Sequence, residues 1–347
     1  MLKIAGKIIG GNQPCFIIAE AGVNHNGSFE VAKKMVDAAK EAGVCAVKFQ
    51  TFISEELASF EAGQAEYQKK NTGKEERQVE MLKKLQLSYN DFRRLKDYAS
   101  QKEIIFLSAP HSCKKDVDLV AELCPAIKIA SGDLTNIPFL EYAASKNLPI
   151  ILSTGMSVLE EIDEAVRAIK NQGNEEIILL HCTSNYPCPF GEVNLKAMDV
   201  LAEKFGLLTG YSDHTEGIIV PALAVSKGAV VIEKHFTLDK NMPGPDHKAS
   251  LDAEELKNMV KLIRDTEVIL GSRIKQPAVS EKETAKIARK SLVAKTIIRQ
   301  GEIIKEEMLA VKRPGTGLEP NKTARIIGKK AVRDIVKDTL IKLEDLE

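Results

Sequence analysis

The sequence predicts a (β/α)₈ TIM barrel over residues 1–273, a linker over residues 274–288, and a small, mostly β domain over residues 289–347. Three observations predict this architecture. Eight short apolar runs recur along the chain, amphipathic segments with helical spacing separate them, and a polar stretch then precedes short, turn-rich segments. Because apolar strands that alternate with helices indicate a parallel sheet covered by helices, eight such units match a closed barrel.

The eight apolar runs have the length of buried strands. In chain order they are FIIAEAG from Phe16, AVKFQTF from Ala46, IIFLSAP from Ile104, AIKIASG from Ala126, PIILSTG from Pro149, IILLHCT from Ile177, GLLTGYSDH from Gly206 and AVVIEKHF from Ala229. No GxGxxG motif follows the first run, so the sequence does not favour a dinucleotide-binding sheet.

The segments between the runs predict helices. SFEVAKKMVDAAKEAG and VLEEIDEAVRAIKNQG place apolar residues at helical spacing and end in Gly43 and Gly173, which are C-cap candidates. The connection after the second run is longer, with about thirty mostly polar residues, 53–82, before the next helix. In a barrel it lies on the catalytic face, as a lid or substrate-contacting loop or as a solvated insertion without a role.

Composition points to small-molecule chemistry. The 49 Lys and Arg residues balance the 49 Asp and Glu residues, so no overall field attracts nucleic acid or an anionic membrane. No apolar run has the length of a membrane span and no signal peptide is evident, so a cytoplasmic location is expected. The six cysteines lack CxxC pairing and are expected to be reduced; Cys182, at a strand end, is more typical of a small buried residue than of a nucleophile.

Polar residues cluster where the predicted strands end, and in a barrel these ends face the active site. They are Glu20, Lys48, Gln50, Ser108, Lys128, Ser131, Ser153, Thr154, Thr183, Ser212, His214, Glu233 and His235. Strand alternation places Lys48 with Gln50, Ser212 with His214, and Glu233 with His235 on common faces.

The two strand-end histidines suggest a metal site. His214 and His235 follow neighbouring strands, and two imidazoles without a thiolate suit a divalent ion such as Mn²⁺, Co²⁺ or Zn²⁺. The alternative is that both histidines are structural. Closure of the barrel is expected to bring the eighth strand beside Glu20 on the first.

Two lysines on apolar strands require anionic partners. Asp133 could pair with Lys48 or Lys128, or hydroxyls around the lysines could complete a cradle for a phosphate or carboxylate. A third interpretation makes Lys128 the Schiff-base nucleophile of an aldolase or lyase.

Several long motifs resemble one family over essentially the whole chain. IAEAGVNHNGSFEVAKKMVDAAKEAGVCAVKFQTF, KIASGDLTNIPFLE, ILSTGM, HCTSNYPCPFGEVNL, GYSDHT and EKHFTLDKNMPGPDH resemble the sialic acid synthases of N-acetylneuraminate and related nonulosonates. KSLVAK and KRPGTG in the tail look like that family's antifreeze-like (SAF, β-clip) domain. The charged tail surface, with IGKKAVRDIVKD, argues against the non-enzymatic alternative of an ice-binding module.

The resemblance implies a specific reaction. Such enzymes condense phosphoenolpyruvate with an N-acylated mannosamine-type sugar and water, releasing phosphate. We expect the sugar to be N-acetylmannosamine and the product N-acetylneuraminate. The alternative is N,N'-diacetyllegionaminate from 2,4-diacetamido-2,4,6-trideoxymannose; pseudaminate is less favoured.

The resemblance also implies residue roles. His214 and His235 would bind Mn²⁺ or Mg²⁺, with Co²⁺ as a further candidate. Phosphoenolpyruvate would contact Lys48, Lys128, Ser131, Ser153, Ser184 and Ser212, and the sugar would contact Gln50, Asp133, Tyr186 and Asp246. Glu20 and Glu233, with Asp133, are the catalytic candidates, and the resemblance leaves open which carboxylate activates water. Arg313 would reach the N-acyl group from the partner subunit of a domain-swapped, head-to-tail homodimer.

Two positions depart from the family pattern. The family commonly carries STPF where this chain has SAPH, Ser108 to His111, so Ala109 replaces a threonine expected near the phosphate. Either that contact is lost or Ser108 takes it over. Asp133 stands where many bacterial relatives have glutamate, and the side chain shorter by one methylene is expected to affect sugar recognition.

Overall fold

The computed structural model describes residues 1–73 and 75–347, which divide into two compact units, Met1–Gly271 and Ser272–Glu347. Lys74, within the predicted insertion, lies outside the described residues. Each unit has its own apolar core.

The first unit contains an N-terminal hairpin and eight parallel strands. The hairpin is β1 (Leu2–Ile4) and β2 (Lys7–Ile9); the parallel strands are β3 (Phe16–Gly22), β4 (Ala46–Thr51), β5 (Ile105–Pro110), β6 (Ile127–Ile129), β7 (Ile150–Ser153), β8 (Ile177–Cys182), β9 (Leu208–Asp213) and β10 (Val231–His235). All eight lie within the predicted apolar runs.

The parallel strands form a barrel, as predicted. Backbone pairing runs in the order β5-β4-β3-β10-β9-β8-β7-β6, and the two end strands lie side by side, which brings the sheet almost to closure. His235 is in register with Glu20, so the last strand does lie beside the first. The ends that the sequence marks as polar therefore meet at one rim.

Helices separate the strands and cover the barrel. In the first unit they are α1 (Phe29–Ala42), α2 (Ser54–Leu57), α3 (Glu66–Thr72), α4 (Gln78–Leu85), α5 (Tyr89–Gln101), α6 (Lys114–Leu123), α7 (Ile137–Ala144), α8 (Leu159–Asn171), α9 (Ala197–Phe205), α10 (Ile219–Ser226) and α11 (Ala253–Leu270). Helix α1 ends at Gly43, whose φ of 80° is left-handed, as the C-cap prediction requires.

Strand β6 is shorter than its apolar run. The prediction extended it through SG, but Ser131–Asp133 forms a 3₁₀ turn whose Asp133 amide donates to the Ala130 carbonyl. Lys128 therefore projects from the strand, whereas Ser131 and Asp133 project from the turn above it.

The insertion after β4 is not a featureless loop. It contains α2, α3 and α4, and Phe52, Val79, Met81 and Leu85 bury a small apolar cluster of their own. The Asn71 amide also donates to the Pro245 carbonyl, 2.6 Å away, in the connection after β10. The insertion is thus tied to the connection after β10, at the C-terminal end of the barrel.

The second unit is small and rich in turns. Strands β11 (Ser291–Ala294) and β12 (Leu309–Lys312) pair antiparallel, and helices α12 (Glu281–Ala288) and α13 (Thr323–Ile326) belong to the same unit. Leu292, Ile298, Ile326 and Ile341 lie in its core. The segment predicted as a linker therefore carries a helix.

Throughout residues 1–73 and 75–347, no helix combines the length and apolarity required to cross a membrane. All six cysteines are free thiols, as expected from the absence of CxxC pairing.

Candidate active site

Four buried charged residues converge at the C-terminal rim of the barrel. The Lys48 ammonium lies 2.6 Å from a Glu20 carboxylate oxygen and 3.7 Å from a Glu233 oxygen, and the Lys128 ammonium lies 3.4 Å from the other Glu233 oxygen. Each side chain is at most 5% exposed. The two lysines thus find protein carboxylates as partners, although Asp133 is not the one that pairs with them.

Burial and pairing set the protonation of this cluster. Burial raises the pKa of Glu20 to about 7, although the Lys48 charge opposes the change. Burial alone would raise the pKa of Glu233 as well, but Lys128 and Lys48 outweigh it and lower that pKa. The cluster therefore holds one readily protonated carboxyl beside one that stays ionised.

Two neutral side chains orient these carboxylates. The Gln50 amide donates to Glu20 at 2.9 Å, and the Ser212 hydroxyl donates to Glu233 at 3.2 Å. Because β4 and β9 hold these two side chains, the carboxylates are fixed in position relative to the lysines.

A group of hydroxyls surrounds Gly155, just beyond β7. The Gly155 amide donates to the Ser131 hydroxyl at 3.0 Å, and that hydroxyl lies 3.1 Å from the Cys182 sulfur. A Cβ on Gly155 would lie 2.9 Å from the Ser131 oxygen and 2.8 Å from the sulfur, and it would also collide with the Ser184 hydroxyl. Only glycine allows the Ser131 and Ser184 hydroxyls to approach one another here.

A further hydroxyl near this group has no partner. Ser153, the last residue of β7, is 3% exposed, and its oxygen makes no hydrogen bond within residues 1–73 and 75–347. Burying a hydroxyl without a partner is costly, so the site favours a ligand with acceptor atoms.

Other rim hydroxyls are occupied by the protein. Thr154 donates to the Leu180 carbonyl, Thr183 donates to the Glu192 carbonyl, and Ser108 shares a 2.7 Å hydrogen bond with Thr51. These hydroxyls thus have protein partners, and whether Ser108 replaces the contact missing at Ala109 stays a prediction.

The two predicted metal ligands lie together. The ring centroids of His214 and His235 are 5.7 Å apart, and the Tyr186 ring packs on both, 4.1 Å and 5.5 Å away. Burial lowers the pKa of His214 to about 4 and that of His235 well below its usual value, so both imidazoles are neutral.

The arrangement of this pair fits a divalent cation with open coordination positions. His214 Nδ1 lies 2.7 Å from the Thr183 carbonyl, which leaves Nε2 as the lone-pair nitrogen. His235 Nδ1 is buried with no hydrogen-bond partner among the described residues. In the described part of the chain, no three His, Cys, Asp or Glu side chains form a metal-binding group, so water or substrate would have to complete the coordination.

Asp133 lies beside His111 and not in an ion pair with a lysine. The His111 Nδ1 atom is 3.7 Å from an Asp133 oxygen. Burial raises the pKa of Asp133 to about 6, whereas burial, Lys48 and Lys128 lower the pKa of His111 to about 3. His111 is therefore neutral, and the pair is not a salt bridge.

Two predicted sugar-binding residues are not joined to the cluster by contacts among the described residues. Asp246 is buried after β10, and burial raises its pKa to about 6. Arg313 belongs to the second unit, where its Nε atom donates to the Ala288 carbonyl at 3.1 Å. The roles of both remain predictions.

Two features of the site do not follow from sequence patterns. The crowding at Gly155 comes from hydroxyls that are distant in the sequence. His111 stands out in the sequence only as a departure from the family pattern. The motif SAPH alone does not reveal that its imidazole turns toward Asp133.

Comparison with protein families identifies both units. The model of the NeuB family matches residues 35–275, and that of the SAF domain matches residues 289–347. The first of these matches covers more than half of the chain.

Similar proteins of known name extend over nearly the full length. The N,N'-diacetyllegionaminic acid synthase of Legionella pneumophila is 46% identical over 99% of this chain and 98% of its own. The Campylobacter jejuni protein of the same name is 47% identical over 94% of this chain and 98% of its own.

A solved structure supports the same fold. The N-acetylneuraminic acid (sialic acid) synthetase of Leptospira borgpetersenii is 37% identical, with a TM-score of 0.73, over 82% of this chain and 95% of its own.

Proposed function

The chain belongs to the NeuB family, a family of phosphoenolpyruvate-dependent nonulosonic acid synthases, and on that premise we propose that it makes N,N'-diacetyllegionaminic acid. The acceptor would be 2,4-diacetamido-2,4,6-trideoxymannose. The observation that carries this proposal is the 46% and 47% identity to two synthases of that name over almost the whole chain.

This proposal replaces the main expectation from sequence. The motifs favoured N-acetylneuraminate and kept the legionaminate as the alternative, but the comparisons support the alternative better. The N-acetylneuraminic acid synthetase is 37% identical, which supports the shared reaction more than the shared sugar. Family membership likewise favours condensation with phosphoenolpyruvate over a Schiff-base reaction at Lys128.

Phosphoenolpyruvate would occupy the region from the lysines to Gly155. Lys48 and Lys128 supply positive charge, and the hydroxyls of Ser131 and Ser184 lie around the glycine. The Ser153 hydroxyl, two residues before the glycine, has no hydrogen-bond partner among the described residues. Charge-assisted hydrogen bonds of this kind suit a phosphate and a carboxylate. Several anions then share one pocket, so electrostatic stabilisation by the lysines is a large part of the catalytic effect.

Glu20 and Glu233 would manage protons during condensation. A new carbon–carbon bond forms between C3 of phosphoenolpyruvate and the sugar aldehyde, and water attacks the oxocarbenium-like C2 before phosphate leaves. A carboxylate that accepts the water proton must be ionised, whereas the aldehyde oxygen gains a proton. Glu233, whose pKa the two lysines lower, suits the base, and Glu20, with a pKa of about 7, suits the proton donor.

We assign the metal to His214 and His235, with Mn²⁺, Mg²⁺ or Co²⁺ as candidates. The neutral imidazoles and the unpartnered His235 Nδ1 support this assignment. A bound divalent ion would act as a Lewis acid toward the sugar aldehyde. Tyr186, which packs on both rings, keeps them in place.

The sugar would contact Gln50, Asp133, Tyr186 and Asp246, and Arg313 would come from the partner subunit of a homodimer. Support for this assignment is the family resemblance together with the position of Gln50 against Glu20 and of Tyr186 against the histidines.

The test is phosphate release from phosphoenolpyruvate with each candidate acceptor sugar and Mn²⁺. The proposal predicts the highest kcat/KM with 2,4-diacetamido-2,4,6-trideoxymannose. A higher value with N-acetylmannosamine would favour the N-acetylneuraminate alternative.

A further inference from the structure

His111 occupies a fixed position at the end of β5. Its backbone amide donates to the Thr51 carbonyl at 3.0 Å, which ties it to the end of β4. Its side chain is 17% exposed and lies next to Asp133 on the turn after β6. The backbone of His111 is thus tied to the end of β4, and its imidazole lies beside the turn after β6.

The polar atoms of this imidazole are not satisfied by the protein. His111 Nε2 is buried and makes no hydrogen bond within residues 1–73 and 75–347. Nδ1 is 3.7 Å from Asp133, which is longer than a hydrogen bond. Since buried polar groups are nearly always paired in native proteins, the unpaired nitrogen points to a ligand.

The neighbours of His111 on β5 offer a ligand no comparable unpaired side-chain atom. The Ser108 hydroxyl lies 2.7 Å from the Thr51 hydroxyl and 3.1 Å from the Phe49 carbonyl, and Ala109 has no polar side-chain atom. Within the SAPH motif, His111 is therefore the side chain with hydrogen-bonding capacity left for a substrate.

The chemistry of the group favours the sugar over phosphoenolpyruvate. The neutral imidazole carries one donor and one acceptor nitrogen, and the tautomer decides which of the two Nε2 is. Such an uncharged group suits a hydroxyl or an amide better than a multiply charged phosphate. The imidazole lies beside Asp133, which the proposed function places against the sugar.

We propose that His111 is a specificity-determining residue that hydrogen-bonds, through Nε2, the second acetamido group of the acceptor sugar, in a subsite shared with Asp133. That group, together with the missing 6-hydroxyl, distinguishes the 2,4-diacetamido sugar from N-acetylmannosamine. The inference rests on the proposed function, because it concerns the sugar that the proposed function names.

The experiment compares the full-length protein with H111F and H111Q, using both sugars and phosphoenolpyruvate. H111F removes both nitrogens while keeping a planar ring. It is expected to raise KM for the diacetamido sugar about tenfold, as the loss of a hydrogen bond to substrate implies. KM for phosphoenolpyruvate and for N-acetylmannosamine should stay within about twofold. H111Q keeps an amide and should lie between wild type and H111F.

The matched control is H181F. The His181 imidazole, on β8, already has a protein partner, because its Nε2 atom lies 2.8 Å from the Val193 carbonyl oxygen. H181F should leave all three KM values unchanged. Three results in H111F would overturn the proposal. They are unchanged KM values, a higher KM for phosphoenolpyruvate, and an equal rise in KM for both sugars. If circular dichroism shows that H111F is unfolded, H111L, which also lacks a side-chain hydrogen-bonding group, takes its place in the same comparison.

The wild-type measurements separate this inference from the proposed function. Wild type that prefers N-acetylmannosamine contradicts the proposed function whatever H111F does. Wild type that prefers the diacetamido sugar, with KM unaffected in H111F, contradicts the role of His111 alone.

Discussion

Among single residues of the site, several side chains pack so closely that an added methyl group would collide with them. Gly155 illustrates this, because its missing side chain leaves space that the Ser131 and Ser184 hydroxyls share. His235 illustrates the opposite case, because its buried Nδ1 atom has no hydrogen-bond partner in the described part of the chain.

Replacing Gly155 by alanine is expected to damage binding of phosphoenolpyruvate. The new methyl group would lie 2.9 Å from the Ser131 oxygen and 2.8 Å from the Cys182 sulfur, so the surrounding hydroxyls must move apart. Overpacking of this size costs about 1–3 kcal/mol, so kcat/KM for phosphoenolpyruvate should fall about ten- to a hundredfold. Initial rates over a range of phosphoenolpyruvate concentrations measure the change.

G191A is the matched control for G155A. Gly191 has no atom within 4 Å of its Cβ position, and its φ is not left-handed. G191A should therefore keep wild-type kinetics. Equal effects in the two variants would show that crowding at Gly155 is not the cause.

Replacing His235 by alanine is expected to weaken metal binding and stop condensation. One of two imidazoles is lost, so the affinity for Mn²⁺ should fall by more than about tenfold. Calorimetric titration of Mn²⁺ measures the affinity, and phosphate release measures the reaction. H181A, on β8, is the control for loss of an imidazole. Wild-type turnover by a folded H235A protein in excess chelator would refute the metal site.

At the scale of elements, Lys234 joins β9 to β10 beneath the site. Its ammonium lies 2.5 Å from an Asp213 oxygen, it also bonds the Thr215 carbonyl, and both charged side chains are fully buried. Removing one member of a buried ion pair leaves the other uncompensated. Breaking the pair is therefore expected to destabilise the two strands that lead to the histidine pair.

K234M should therefore destabilise the first unit by about 3–5 kcal/mol, and D213N/K234M should recover part of the loss because no unpaired charge remains. Urea unfolding of the full chain measures both values. K227M, at an exposed ion pair with Asp199, should cost less than about 1 kcal/mol. A K234M protein as stable as K227M would contradict this account of Lys234.

Local sequence patterns predict some elements and not others. The eight strands could be predicted, because apolar runs such as Ile177–Cys182 depend on burial alone. The helices between Ser54 and Leu85 could not, because their apolar cluster includes Val23 and Phe52, which lie outside that range. The strand-end rule found Lys48, Glu20 and Glu233, but it could not tell that Ser108 pairs with Thr51.

At the scale of the whole molecule, the chain consists of two units with separate cores. The cluster of Glu20, Lys48, Lys128 and Glu233 lies in the first unit, and Arg313 lies in the second. If Arg313 serves the site of a partner subunit, activity requires two chains.

Complementation tests this arrangement. R313A and H235A should each be inactive or nearly so as separate proteins. When they are unfolded and refolded together, random pairing should restore about a quarter of the sites, because each mixed dimer contains one site with both residues intact. Phosphate release before and after mixing measures the gain. No gain, with mixed dimers present by native mass spectrometry, would contradict an Arg313 contribution from the partner.

Competition between acceptor sugars tests most sharply whether the protein makes N,N'-diacetyllegionaminic acid. The full-length protein is incubated with phosphoenolpyruvate, Mn²⁺ and equal concentrations of 2,4-diacetamido-2,4,6-trideoxymannose and N-acetylmannosamine, and the products are identified by mass. We predict that N,N'-diacetyllegionaminic acid predominates from the earliest time point. Predominance of N-acetylneuraminic acid would contradict the proposed function.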